Sequence, residues 1–222
     1  MVILALDCGK VVALRRQHLD MAKPYEPKDR FYLKAKAQGL RARSAFKIEE
    51  LAERMGVVKP GIAVLDLGAA PGGWLQVLAK LVGPSGLVIG VDLVEIKSLS
   101  LPHAKTLVAD VTTPDFPKKL AEITPRKLDL VTSDMAPKTT GIRATDEARS
   151  LELCEIALRC AEAHLRPGGA FITKVFMGGD FKRFETEVRK RFEQVKVMRP
   201  EATRERSFEV YITAKGFRPP KP

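Results

Sequence analysis

The sequence predicts an α/β fold: a mostly parallel seven-stranded sheet whose last strand enters antiparallel, with helices on both faces. Three observations carry that prediction. From Ile62 onward, apolar runs of strand length alternate with stretches of helical periodicity. Most of those runs are apolar nearly throughout, as strands covered on both faces are, rather than at every second position. The last two runs follow one another with no helix between them, so no crossover is available to bring the final strand in parallel.

Taken in order, residues 1–22 show no clear period and read as an N-terminal extension, residues 23–216 as a single domain, and residues 217–222 as a tail. Arg43 to Met55 places Ala45, Ile48, Leu51, Ala52 and Met55 on one helical face, with charges opposite and Gly56 just after. Strand-like runs then occupy 62–67 (IAVLDL), 86–92 (GLVIGVD), 104–110 (AKTLVAD) and 128–134 (LDLVTSD), with a helix from Trp74 to Leu81 between the first two. A helix from Asp146 to Leu165 carries Leu151, Cys154, Leu158, Ala161 and Leu165 along one face. After a Pro167-Gly168-Gly169 turn come a strand at 170–176 (AFITKVF), a helix from Phe181 to Phe192, and strands at 194–198 (QVKVM) and 207–214 (SFEVYITA).

The formal net charge is +11, and its placement says more than its size. The segment from Lys23 to Lys47 carries +6 and that from Lys182 to the end another +6, so the rest of the chain is near neutral. Each flank alone reads as a solvated face, but two segregated basic flanks favour a nucleic acid as partner. No apolar run approaches the roughly 20 residues that span a bilayer, which argues against a membrane protein. Asp7 interrupts the short apolar start and no basic region precedes it, so a secretory signal is not expected and the cytoplasm is the default address. Cys8, Cys154 and Cys160 form no C-x-x-C pair, and His18, His103 and His164 are scattered, so neither a disulfide framework nor a metal site is expected.

Two features carry chemistry. In LDLGAAPGGW (65–74) a strand runs into Gly68-x-Ala70-x-x-Gly73 and then a helix, a turn that lets backbone approach a ligand. Asp92 closes the second strand 24 residues after Gly68, where an acid would bond a ribose hydroxyl pair, and Asp110 ends the third strand similarly. For either Asp alone, a helix cap or turn role is the simpler reading. A dinucleotide competes for this crevice, but Pro71 and Trp74 beside the glycines suit an adenosyl ligand without phosphates better than a pyrophosphate. The second feature is Lys174, set among Phe171, Ile172, Val175 and Phe176 near the carboxyl end of a central strand. Burying an ammonium is costly unless it is paired or neutral. A strand-end lysine in a structural pair and a general base of lowered pKa both remain open, with Asp134 in reach on the same rim.

Taken together, RARSAFK (41–47), VLDLGAAPGGW (64–74), SDMAP (133–137), ITKVF (172–176) and SFEVY (207–211) resemble the FtsJ-type (RrmJ-type) ribose 2′-O-methyltransferases. The resemblance runs from about Lys28 to Ala214, with five blocks in the family's order and spacing. It implies a Rossmann-like class I methyltransferase that uses S-adenosyl-L-methionine. It also implies a catalytic tetrad of Lys47, Asp134, Lys174 and Glu209, with Lys174 the general base. Without it, Glu209 reads as a solvent-facing strand residue and Lys47 as the polar face of a helix. By the same resemblance Gly72 and Trp74 meet the methionine part of the cofactor, Asp92 the ribose, Asp110 the adenine amino group and Asp134 the methionine ammonium. The implied substrate is a ribose, a uridine's, in large-subunit (23S) ribosomal RNA, with no DNA or membrane partner and a monomeric enzyme. Lys138 and Arg143, in the loop after SDMAP, are candidates for holding the target nucleotide.

Two alternatives stay in view. Some relatives of this kind act on transfer RNA, and an RNA-binding ribosome-assembly factor with a vestigial pocket is a different class. Loss of part of the tetrad or of the glycine loop would mark the latter, and both are present. An amino-methyltransferase would be expected to carry an Asn/Asp-Pro-Pro-aromatic block where this chain has SDMAP.

Overall fold

A computed structural model describes residues 29–220. The expected extension, residues 1–22, and Cys8 lie outside the described residues. Helix α1 (Arg30–Ala37) starts where the Asp29 carboxylate accepts the Tyr32 backbone N–H at 3.0 Å. Helix α2 (Ala45–Met55) buries the five apolar residues its periodicity predicts and also Phe46 and Lys47, and it stops at Gly56, whose φ of 63° ends the helical path.

Strands β1 (Ala63–Leu67), β2 (Leu87–Asp92), β3 (Ala104–Val108), β4 (Leu128–Ser133) and β5 (Leu165–Phe176) are parallel. Strand β6 (Phe192–Met198) forms an edge, and β7 (Glu209–Phe217) inserts antiparallel between β5 and β6. The order is β3-β2-β1-β4-β5-β7-β6, with seven strands among the described residues, as expected. The connections carry α3 (Gly73–Val82), α4 (Phe116–Ile123), α5 (Arg143–His164) and α6 (Phe181–Arg191).

Alternate strand residues feed two cores. Leu65, Leu67, Val131, Phe171 and Val175 pack with Leu120, Leu158 and Val188 of α4, α5 and α6. Val64, Leu130, Ile172 and Tyr211 pack with Ile48, Leu51, Trp74 and Leu78 of α2 and α3 on the other face. Each fully buried aliphatic side chain contributes roughly 1.5–3 kcal/mol, so the continuous apolar runs follow from burial on both sides.

The structure differs from the sequence prediction in four places. Helices α1 and α4 are not among the predicted elements; each has eight residues, and they bury only Ala35 and the pair Phe116 and Leu120, too few positions to establish a period. Strand β5 begins at Leu165, so Pro167-Gly168-Gly169 lies inside the strand, where the pairing with β4 shifts between Leu128 and Leu130. Strand β3 stops at Val108 and leaves Asp110 beyond it. Arg143 opens α5 instead of lying in the loop before it.

Parts of the two basic flanks meet. Arg43 pairs with Asp29, Arg204 stands 3.5 Å from the same carboxylate, and Arg30 reaches Glu201 at 2.7 Å. The basic residues of α1 and of the turn before β7 therefore share one side of the molecule.

Candidate active site

The carboxyl ends of the parallel strands form a crevice where the strand order reverses between β1 and β4, the place where open α/β sheets bind ligands. The turn from β1 into α3 forms one wall. Gly68 has φ 72°, and a Cβ there would stand 2.8 Å from Met135 Cγ, so glycine lets this loop approach the one after β4. Gly72 has φ 105° and lies against Arg41. The Arg41 guanidinium donates to the carbonyls of Pro71 at 3.3 Å, Ser98 at 2.7 Å and Lys97, tying the glycine loop to the segment after β2.

The Asp92 carboxylate accepts the Ala70 N–H at 2.9 Å, joining the end of β2 to the glycine turn. Trp74 is only 2% exposed, and its indole N–H donates to Ser44 O at 2.9 Å. What Trp74 offers the crevice is therefore a backbone N–H in the first turn of α3, where such groups lack intrahelical partners. Asp110 lies on an exposed turn and accepts the Thr112 N–H at 2.9 Å and hydroxyl at 2.7 Å. Those hydrogen bonds hold its pKa below the usual carboxylate value.

Four residues from four elements converge beside this wall. Lys174, at 8% exposure, donates through Nζ to Asp134 O at 2.6 Å and to Asp134 Oδ1 at 3.1 Å. Lys47 pairs with Glu209, and both side chains are largely buried. Tyr211 connects the pairs. It lies opposite Lys174 in the β5–β7 ladder, donates its hydroxyl to Asp134 Oδ1 at 2.9 Å, and has Lys47 Nζ 5.8 Å from its ring centroid. Its own pKa is raised well above the ordinary phenol value, by burial first and then by the negative charge of Asp134 and Glu209.

Sequence reasoning assigns no role to Tyr211, although it belongs to the SFEVY block, and the alternation of β7 makes it solvent-facing. It is fully buried because β7 is an inner strand with α2 and α3 over that face. The same burial overturns the solvent-facing reading of Glu209. Arg41 and Asp66 also lack a predicted role. Asp66 lies inside β1 at 0% exposure and accepts the Thr132 hydroxyl at 2.8 Å, while its Oδ2 has no partner. Burial, with Asp134 and Asp92 nearby, pushes its pKa up to about 8 against the lowering effect of the Thr132 bond. A signal for it existed: one acid in the otherwise apolar run IAVLDL. Among the described residues no group of three or more His, Cys, Asp or Glu could hold a metal ion, and no helix is long and apolar enough to cross a membrane.

The strand order and the crevice define a Rossmann-like methyltransferase fold. A Plasmodium falciparum protein described as a ribosomal RNA methyltransferase superposes with a TM-score of 0.72 at 25% identity, over 80% of this chain and 98% of that one. Aeropyrum pernix fibrillarin, solved with natively bound S-adenosyl-L-methionine, superposes with a TM-score of 0.54 at 18% identity, over 77% of this chain and 76% of its own, a likeness of fold. Residues 40–217 match the FtsJ-like methyltransferase family, and the chain belongs to that family. Its relatives include the ribosomal RNA large subunit methyltransferase E of Myxococcus xanthus, 57% identical over 91% of this chain and 95% of that one. The protein of the same name from Anaeromyxobacter dehalogenans is 57% identical over 89% of this chain and 74% of its own.

Proposed function

We propose that the protein transfers a methyl group from S-adenosyl-L-methionine to the 2′-oxygen of a ribose, a uridine's, in large-subunit (23S) ribosomal RNA, with Lys174 as the general base. The observation that carries this reading is the attachment of the Lys174 amine to Asp134 by two hydrogen bonds beside the glycine turn. An ammonium has three hydrogens. After losing one it still has two for the Asp134 contacts, and its lone pair takes the third position. There Lys174 accepts the ribose proton as the new oxygen–carbon bond forms and the carbon–sulfur bond breaks. Asp134 fixes the amine, Tyr211 fixes Asp134, and the Lys47–Glu209 pair sets the charge around them.

The residues present fit the cofactor, which supplies a methyl group made electrophilic by its sulfonium. Gly72 and the Trp74 backbone would meet its methionine part, Asp92 its ribose hydroxyls, Asp110 its adenine amino group and Asp134 its ammonium. A pyrophosphate fits less well, because the Arg41 guanidinium beside the loop is committed to three backbone carbonyls. RNA is the partner and DNA is excluded by the need for a 2′-hydroxyl. The joined basic flanks grip phosphates, one chain holds the whole cluster so that a monomer suffices, and ribosomal RNA as substrate sets the reaction in the cytoplasm.

The test is transfer of labelled methyl from the cofactor to large ribosomal subunits, naked 23S RNA and transfer RNA in parallel. Label in ribosomal RNA, reduced at least about 100-fold in Lys174→Ala with cofactor binding intact, is expected for a lost general base. Label confined to transfer RNA would move the substrate, and no label in any RNA would refute the activity.

A further inference from the structure

A cavity of about 210 Å³ lies beside the cluster, between the start of α5 and the loop that follows β5. Phe176, Leu151 and Ala148 give it apolar walls, and Glu147 and Asp180 supply carboxylates. Phe176 follows Lys174 by two residues, so their Cα atoms are roughly 7 Å apart in an extended strand. The Phe176 ring is part-exposed and held in place: its backbone N–H donates to Ser150 Oγ at 3.1 Å, and its ring meets that of Phe208 edge-on at 5.2 Å. Arg143 lies over the Phe208 ring at 5.2 Å and donates to Glu147 Oε1 at 2.6 Å. The Glu147 side chain lies against Gly178, its Oε2 filling the place a Cβ would take. The carboxylate is therefore packed against bare backbone at the cavity wall.

The chemistry of these walls selects the occupant. In a chain of net charge +11 that has basic side chains elsewhere for phosphates, this cavity presents acids and an aromatic face. Both acids are paired, Glu147 with Arg143 at 2.6 Å and Asp180 with Arg183 at 3.5 Å, so the walls offer no uncommitted cation to draw a phosphate. An unstacked nucleobase is suited twice: its π face stacks on an aromatic ring, and its N–H edge donates to a carboxylate, which only accepts. We propose that the cavity is a nucleobase subsite for the nucleotide adjoining the target ribose, with the base against Phe176 and its N–H edge on Glu147. The inference rests on the proposed RNA methyltransferase activity and adds where the strand is gripped. Holding a neighbouring base out of the stack adds affinity for the strand that carries the target ribose.

The test fills the cavity from its exposed side. Ala148→Trp places an indole in the space, and Ala148→Ser leaves it open; the probe is 23S RNA, with the cofactor dissociation constant and thermal melting followed alongside. Ala148→Trp is expected to raise the KM for RNA roughly five- to 150-fold, the worth of one base–aromatic stack. Cofactor affinity and kcat at saturating RNA stay within about twofold, the melting temperature does not shift, and Ala148→Ser matches the unsubstituted protein. The dependence of KM on salt also stays unchanged, because no phosphate contact is lost. An unchanged KM in Ala148→Trp overturns the subsite while leaving the activity in place, and a shallower salt dependence overturns it in favour of a phosphate site. Failure of the unsubstituted protein to methylate any RNA removes the functional reading and the subsite together.

Discussion

Tyr211 donates its hydroxyl to the same Asp134 oxygen that receives the Lys174 ammonium, at 2.9 and 3.1 Å. The oxygen is held from two sides by neighbours in adjacent strands, so neither the carboxylate nor the amine is free to rotate away. Tyr211→Phe keeps the ring among Trp74 and the α2 side chains and removes only the donor. A hydrogen bond to a charged group is worth about 1.5–3 kcal/mol, so kcat is expected to fall by roughly tenfold or more with KM for the cofactor little changed. Steady-state kinetics decide it, and an unchanged kcat would show that Tyr211 only packs.

Lys47 and Glu209 form a mostly buried pair that joins α2 to β7. Removing one partner strands the other, so Glu209→Ala is expected to cost about 3 kcal/mol of stability. The double variant Lys47→Met, Glu209→Leu replaces both charges with apolar groups and is expected to recover most of that stability but no activity. Urea unfolding and methyl transfer measured on the three proteins separate structure from chemistry. Recovered activity in the double variant would remove the pair from the mechanism.

Asp66 titrates with a pKa raised to about 8, chiefly by burial. Between roughly pH 4 and pH 8 the folded protein keeps this proton while the unfolded chain has lost it, so stability falls as pH rises through that window and levels off above it. Asp66→Asn cannot titrate. Its stability relative to the unsubstituted protein is expected to rise by up to about 1.4 kcal/mol per pH unit across the window, read from unfolding at pH 5 and pH 8. Parallel curves for the two proteins would contradict the assignment.

Cys154 and Cys160 are buried, and burial pushes both thiols up to about 12. Cys154 also donates through Sγ to the carbonyl of Lys174 at 2.9 Å, behind the cluster. Neither is expected to react with a disulfide reagent at pH 8 until the protein unfolds. Mass spectrometry of labelled peptides from native and unfolded protein checks this, and rapid native labelling would refute it.

The inner strands β1, β2, β4 and β5 were legible because burial on both faces writes itself as continuous apolar runs; β3 and β6, the more exposed edges, and the alternating β7 also fall on runs read from the sequence. What escaped was short or paired. Helices α1 and α4 bury too few side chains to set a period. Lys174 was legible as a charge in an apolar run, and the same logic applies to Asp66 in β1. Glu209 and Tyr211 could not be read from β7, whose alternation looks like a one-sided strand. Its second face is covered by α2, and that contact is set by the fold, not by the local pattern. Lys47 was hidden likewise, as its partner lies 162 residues away.

The most direct measurement is alkaline hydrolysis of 23S RNA carrying label transferred by the protein and by Lys174→Ala. A 2′-O-methyl group blocks cleavage of the adjacent phosphodiester bond, so the account predicts label in an alkali-stable dinucleotide, absent with Lys174→Ala although that variant still binds cofactor. Label in mononucleotides would mean a methylated base, and near-normal transfer by Lys174→Ala would mean another base takes the proton. Either result would contradict the account.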